Sequence, residues 1–499
     1  MSNQTKQIKL IAFVILSFTL CAYLVQPIWD TDFWWHIASG KWIIDSQSIP
    51  NTDPFGVFPN TDPIRLNTVL QGQWLGQVAL FLCFDYLGNN GILALRAIII
   101  LACLALIYKR AKLLQTAKLI TLLYLGLTGI IALGFIGARP QLFSFLFAAL
   151  TFLVVDKFEQ NRQYKLLLSL PLIAIVWANC HGGVILGAAL LLTYSGYKLL
   201  KSYITEQAFN KSSISLIIIS LLFFIGSLIT PNGIDTYLYL LNLEGSQLQQ
   251  LTSEYTSSLK LYTLGFTYTQ AWIALLFIIS LAGIVGLYPA HKGKAGLSLF
   301  LLIISIAYYR YLAFMIFISG PYICLGVTKL IEKSNYAQNI INSRIDNYVS
   351  LGMSTVAIIA LSMGFFNNSI FRGGVSPNAY PISAVEFIKN NKITGRAFNF
   401  FRWGGYLIWH LQPNVNLYID GRMLDANRLP PYTHILWATP QGIQLFEQQR
   451  FDLVILPWRT TYSGENYKLH QYLNSQPSWR LIYRDQTQGD YVYQRVRSR

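Results

Sequence analysis

Charge is what this chain has least of. Only 12% of its 499 residues are Asp, Glu, Lys or Arg, against roughly 25% in soluble domains. That shortage excludes an ordinary soluble enzyme, and the 53% hydrophobic content excludes intrinsic disorder, which needs few apolar residues and many charges. Cysteine is also sparse. Cys21, Cys83, Cys103, Cys180 and Cys324 form no CxxC pair and lie in or beside apolar segments, so no disulfide framework or zinc site is expected. Four of them read as small hydrophobes, while Cys180 has polar neighbours. No GxSxG, P-loop, GxGxxG or HExxH pattern occurs, which removes support for the usual hydrolase, nucleotide-binding and metalloprotease readings. There are 38 basic and 22 acidic residues, a surplus of +16, yet no long basic run with interleaved aromatics argues for nucleic acid. The first apolar block has a basic start but no small-residue cleavage site, so it reads as a retained helix.

What the chain has is apolar blocks long enough to cross a bilayer, which takes roughly 20 residues. They fall at about 9–28, 92–109, 118–136, 140–156, 165–180, 182–200, 213–230, 269–288, 295–309, 311–331 and 350–366. The expected fold is therefore an α-helical polytopic membrane protein with about eleven transmembrane helices. A further block, 72–87, contains Asp85 and ends in Gly88-Asn89-Asn90-Gly91. If it does not cross and the N-terminus is cytoplasmic, most Lys and Arg residues fall on the inner side, as the insertion bias requires. That places 72–87 as a juxtamembrane or re-entrant segment. The inner face then consists mostly of short connections, and the unusual polar clusters gather outside. From about residue 367 the pattern changes. Helical stretches at 382–390 and 439–449 alternate with strand-like runs at 396–400, 416–420, 452–456, 480–484 and 491–495. The expected division is thus a membrane domain, 1–366, with outer loops at 29–91 and 231–268, and a C-terminal extracytoplasmic α/β domain, 367–499.

The outer loop opening with Asp30-Thr31-Asp32 is the sharpest signal. Two carboxylates two residues apart at the bilayer edge can deprotonate an acceptor hydroxyl or ligate a divalent cation such as Mg or Mn. The competing reading makes Asp32 a helix cap before Phe33-Trp34-Trp35-His36. On a helix, His36 shares a face with Asp32. Arg139 and Arg310 sit at outer ends of spans, where each can hold a lipid phosphate or simply reach the headgroups. Asn179 and His181, ahead of Gly182-Gly183, lie at the same surface, either as site residues or within a helix-connecting turn. Glu254 belongs to the second outer loop, as a substrate or metal contact or as a solvated carboxylate. In the tail, Trp403-Gly404-Gly405-Tyr406 precedes a strand ending in Asp420-Gly421-Arg422. That turn can offer amides and aromatic faces to a sugar, or can be a tight packing turn.

With WDTDFWWHIASGKWI after one helix, then QWLGQVALFLCFDYLGNNGILALRAIIILACLALIYKR at 73–110, many helices and an outer tail, the chain resembles the GT-C class of membrane glycosyltransferases. It is similar to protein O-mannosyltransferase-like and aminoarabinose-transferase-like enzymes. It resembles most of all uncharacterised bacterial membrane proteins sharing DxDxWWH, ARPQ, WxNxHGG, PxG…EY and DGR patterns. The resemblance implies a multi-pass protein of the bacterial inner membrane. It also implies transfer of a sugar from a polyprenyl phosphate or diphosphate carrier to an outer acceptor, which is protein, lipid or polysaccharide. The acidic residue after the first helix would act as base or metal ligand. Departures are plain: no Glu follows either Asp, and RWGGY only loosely echoes the WWDYG motif. Two other classes compete. A flippase for a lipid-linked glycan needs polar residues deep in the membrane, of which the sequence shows few. A non-catalytic assembly subunit would keep the fold without the chemistry.

Overall fold

A computed structural model of the chain describes residues 3–56, 63–132, 137–243, 255–264, 267–333, 345–367, 373–460, 464–485 and 489–496. It shows a multi-pass membrane protein. Uninterrupted Leu, Ile, Val, Phe and Ala leave the backbone no polar partner in lipid except itself, so each apolar block becomes helix. Five helical runs are long and apolar enough to cross a membrane: Arg65–Leu113, Gln141–Asn161, Val184–Glu206, Thr269–Leu287 and Tyr309–Glu332. The other blocks form shorter apolar helices, among them Lys118–Ala132, Tyr164–Cys180 and Lys211–Ser227. At 1.5 Å per residue the 17-residue stretches Tyr164–Cys180 and Lys211–Ser227 reach only about 26 Å, less than the roughly 30 Å hydrocarbon core. The 72–87 block is helical and runs into the next span, but Gly88 at φ 60° and ψ −154° breaks the helix there, a backbone state open chiefly to glycine.

The chain divides into two compact units. One comprises 1–27, 89–233 and 244–373; the other comprises 28–88, 234–243 and 374–499. The boundary therefore differs from a single cut near 367, because the acidic loop groups with the tail. Local bonds explain it. Ile28 bridges Val375 in parallel, and the Tyr380 hydroxyl donates to the Asp30 carbonyl at 2.7 Å. Trp34, on the helix Phe33–Ser46, packs edge-on against Tyr380 and Tyr406, at 5.9 and 5.1 Å between ring centroids.

In the helical unit, the core is aliphatic and aromatic, but one end holds a buried charge network. Arg110 Nε donates to Asp156 Oδ2 at 2.7 Å, and its Nη1 donates to the Phe317 carbonyl at 2.9 Å. Tyr322 donates to Asp156 Oδ1 at 2.8 Å. Lys294 lies 3.0 Å from Glu159 and 3.7 Å from Asp156. Glu159 also receives Tyr194 and the half-buried Lys198. Phe317 belongs to a five-residue π-helical segment, Met315–Ser319, the wide-turn geometry that interrupts α-helices at special sites. This end of the helical unit is thus more than a set of short connections. Lys and Arg beside apolar blocks look like insertion signals, and their buried partners cannot be paired by eye.

The other unit carries a five-stranded sheet: β1 Gly395–Asn399, β2 Val415–Leu417, β3 Leu453–Pro457, β4 Trp479–Arg484 and β5 Asp490–Arg495. The order is β2-β1-β3-β5-β4. β1 runs parallel to β2 and β3, with Ala397 opposite Leu417 and Leu453. β5 is antiparallel to β3 and β4. Ala397, Phe398 and Leu453 through Leu456 are buried on both faces, the mark of central strands. The strands fall within a few residues of the sequence-predicted runs, as do the helices Ile382–Asn390 and Pro440–Gln448.

Candidate functional site

In the sheet unit the acidic motif starts the helix Phe33–Ser46, with Asp32 at its cap position. Asp32 makes no side-chain capping bond. It is Asp30, almost fully buried, whose Oδ1 accepts the Asp32 amide at 3.1 Å and shapes the turn. The two carboxylates therefore differ in role: Asp30 builds the turn, and Asp32 faces the tail. A methyl group added at Gly421 would come 2.5 Å from Asp32 Oδ1, so the Asp420-Gly421-Arg422 turn approaches the carboxylate as only glycine permits. His36 is buried, its ring 3.6 Å centroid to centroid from Trp35 and its Nδ1 3.5 Å from Gln77 Nε2. Trp403 and Tyr406 are buried as well. Tyr406 stacks on Tyr380 at 5.0 Å and meets His410 at 4.2 Å, so its ring is taken up by packing. The Gly404-Gly405 stretch is the first turn of a helix, Gly404–Leu411, and not an open loop.

Sequence reasoning missed how the Asp-Gly-Arg turn is held. Arg422 is fully enclosed and bonds two carboxylates. Its Nε and Nη2 reach Asp420 at 2.8 and 2.7 Å, and Nη1 and Nη2 reach Asp53 at 2.6 and 3.1 Å. Phe55 covers its face at 5.1 Å. Arg65 donates to the carbonyls of Arg422 and Met423 and to the Tyr239 hydroxyl. Burial acts to raise the Asp420 carboxyl, and the Arg422 guanidinium overrides it, holding the group below its ordinary range. Asp53 lies 369 residues away in sequence, and no local pattern announces that pairing. A small polar cleft beside the turn is lined by Asp53, Tyr418, Asp420, Asp425 and Arg428.

In the helical unit, Arg310 sits in a short 3₁₀ turn, Tyr309–Tyr311. Its guanidinium lies 4.5 Å from the Tyr255 ring centroid and 6.0 Å from that of Tyr311. Among the described residues no carboxylate pairs with it. Arg139 is half-buried just before the helix Gln141–Asn161, which Pro140 starts. Asn179 donates to the carbonyls of Ile175 and Ile229, both at 2.8 Å, which ties two helix ends together. His181 is half-buried, and its Nδ1 lies 2.8 Å from Ser144 Oγ and 3.0 Å from the Gly183 amide. Glu254 lies outside the described residues. Among the described residues no three His, Cys, Asp or Glu side chains gather as a metal cluster.

No family model matches the chain, and no curated protein does. Solved structures of the mycobacterial arabinofuranosyltransferase AftD share its fold. One superposes with a TM-score of 0.59 at 15% identity over 100% of this chain and 40% of that one. Two classes of an AftD point mutant give TM-scores of 0.57 and 0.56 at 13% and 14% identity, over 100% and 99% of this chain and 42% of theirs. The chain thus spans about two-fifths of the length of the AftD chains it matches. At this identity the likeness is one of fold.

Proposed function

We propose that the protein is a membrane glycosyltransferase that moves a sugar from a polyprenyl phosphate or diphosphate carrier to an acceptor on the outer face of a bacterial inner membrane. In this reading the N-terminus is cytoplasmic and about eleven helices cross. The observation that carries it is the division of labour between the two aspartates. A cap needs one carboxylate, and Asp30 already forms the turn, so Asp32 stands at the helix start without bonding the helix amides. That is the placement of a general base for an acceptor hydroxyl, a group that works by proximity to the proton it removes.

Glycosyl transfer breaks the bond between the anomeric carbon and the carrier phosphate oxygen. The acceptor oxygen bonds that carbon, its proton passes to Asp32, and the phosphate leaves with the electron pair. Negative charge grows on the leaving phosphate, where placed cations stabilise the transition state. Arg310 is suited to this: its guanidinium rests on Tyr255 and has no carboxylate neutralising it among the described residues. Arg139 is assigned the same partner, and Asn179, His36 and Glu254 supporting places around substrate. A single displacement of this kind inverts the anomeric centre.

Asp32→Asn, Asp30→Asn and wild type, produced at equal membrane abundance, test the reading. Mass spectrometry of surface glycans and polyprenyl-linked sugars should show Asp32→Asn losing a glycan while its lipid-linked donor accumulates. Unchanged glycans and lipid pools in both variants would leave the aspartates as turn-formers and overturn the assignment.

A further inference from the structure

The Asp420-Gly421-Arg422 turn has hydrogen-bonding capacity that its own bonds do not use. Asp420 Oδ1 accepts two donors, the Arg422 amide at 2.9 Å and Arg422 Nε at 2.8 Å. Asp53 Oδ1 also accepts two, the Phe55 amide at 3.0 Å and Arg422 Nη1 at 2.6 Å. Each of the two Oδ2 atoms accepts only one, and it is the same one, Arg422 Nη2, at 2.7 and 3.1 Å. A carboxylate oxygen can accept two hydrogen bonds. Among the described residues, then, two carboxylate oxygens stand side by side on one nitrogen, each able to accept one bond more. Both aspartates line the small cleft, together with Gly56, Asp425 and Arg428. A methyl group on Gly56 would collide with Asp53 Oδ2, so glycine is what leaves that oxygen uncovered.

The occupant follows from charge and size. Asp53, Asp420 and Asp425 carry three negative charges against two positive ones on Arg422 and Arg428. No surplus positive charge is left for a phosphate, so the carrier's anionic group does not belong here. Arg422, bonded to both oxygens, opposes a second cation at the same place. What remains is a neutral hydrogen-bond donor. The cleft volume of about 20 Å³ is room for hydroxyl groups and not for a whole ring. The edge of a sugar meets both conditions, since adjacent hydroxyls can each donate to one oxygen.

At Gly421 the turn meets a donor as well. A methyl group there would stand 2.5 Å from Asp32 Oδ1 and 3.5 Å from Trp35 Nε1, so both atoms border the notch that glycine leaves. Trp35 is 5% exposed, and its Nε1–H has no partner among the described residues. A hydroxyl oxygen at this notch can accept from Trp35 while giving its proton to Asp32. We propose that the acceptor of the transfer reaction is itself a carbohydrate, seated by its edge on this turn. Asp420 and Asp53 accept from neighbouring hydroxyls, and Trp35 orients the hydroxyl that Asp32 deprotonates. The acceptor role rests on the glycosyltransferase reading, whereas the sugar seat rests on the geometry of the turn.

The full-length protein in lipid nanodiscs, free of sugar-headed detergent, is titrated with methyl glycosides of common pentoses and hexoses and read by saturation-transfer NMR. Wild type is expected to bind at least one of them at millimolar concentration, and binding of none overturns the proposal. For a glycoside that binds, Gly56→Ala and Gly421→Ala should abolish binding, because each methyl fills its side of the turn without removing a charge. Trp35→Phe should weaken it about fivefold, the worth of one hydrogen bond. That variant keeps a ring in place, and it carries the test if a glycine variant lacks a folding transition. Unchanged binding in every folded variant would put the sugar elsewhere and overturn the proposal. Displacement of the glycoside by inorganic phosphate would do the same. If Asp32→Asn leaves surface glycans and lipid pools intact while the glycine variants lose glycoside binding, the seat stands, and the transferase reading falls together with the acceptor role.

Discussion

Arg422 shows how a turn in this protein is held by charge as well as by sequence-local bonds. A planar guanidinium presents paired donors, which lets one side chain bond Asp420 and Asp53 at once. Removing it leaves two enclosed carboxylates without their counter-charge, a change that costs about 3–5 kcal/mol at buried sites. Arg422→Ala should therefore lower the unfolding temperature of the detergent-solubilised protein, and Arg422→Lys should restore only part of it, since an ammonium cannot match two carboxylates in one plane. An unchanged transition in Arg422→Ala would show that the cluster is dispensable. At this scale the candidate site was half legible. Asp30, Asp32 and the Asp-Gly-Arg turn stood out as residue types in unusual places. Which aspartate forms the turn, and that Asp53 completes the arginine, depends on contacts that no local spacing encodes.

Among the elements, the strands were the most readable, because β1 and β3 are short apolar runs flanked by turn residues. Helix Gly404–Leu411 was not read as a helix, since two glycines at its start look like a loop. Helix Leu429–Leu436 hid behind Pro430 and Pro431, which a helix tolerates in its first turn where no amide bond is lost. The β3–β5 pair also has a testable pH response. Burial, with Asp485 nearby, pushes the Asp490 carboxyl up to about 7. The folded state thus holds a proton that the unfolded chain releases near pH 3.9, so this contribution is full below about pH 4 and is lost as pH rises through 7. His470 runs the other way. Burial lowers it to about 4, with the Pro457 carbonyl opposing, so its contribution is full above about pH 6.5 and is lost as pH falls through 4. Between these limits the two oppose each other. Thermal unfolding from pH 4.5 to 8 should show Asp490→Asn gaining stability with rising pH, and His470→Gln losing it. Parallel curves for both variants would contradict the assignment.

For the whole molecule, the apolar blocks made a membrane protein plain, and the charge network at one end of the helical unit was the part that stayed hidden. Arg110, the Asp156–Glu159 pair on one helix, and Lys294 are separated by long stretches of mostly apolar sequence, and only the fold brings them together. Neutralising one partner strands the other in a buried setting, so Arg110→Met and Asp156→Leu should each destabilise strongly. The double variant Arg110→Met with Asp156→Leu removes both charges and should recover much of the loss. A double-mutant cycle of thermal stability in detergent measures this coupling, and simple additivity of the two single losses would show that the pair is not coupled.

The same network orders events during synthesis. Arg110 and Asp156 are 46 residues apart and leave the ribosome close together, whereas Tyr322 follows Asp156 by 166 residues. Until the later helices arrive, Asp156 lacks its tyrosine and Glu159 lacks Lys294. An incomplete chain therefore carries under-neutralised carboxylates within its apolar helices, a state that completion of the helix Gly320–Glu332 brings to an end. The network is thus complete only once the last of its helices is in place.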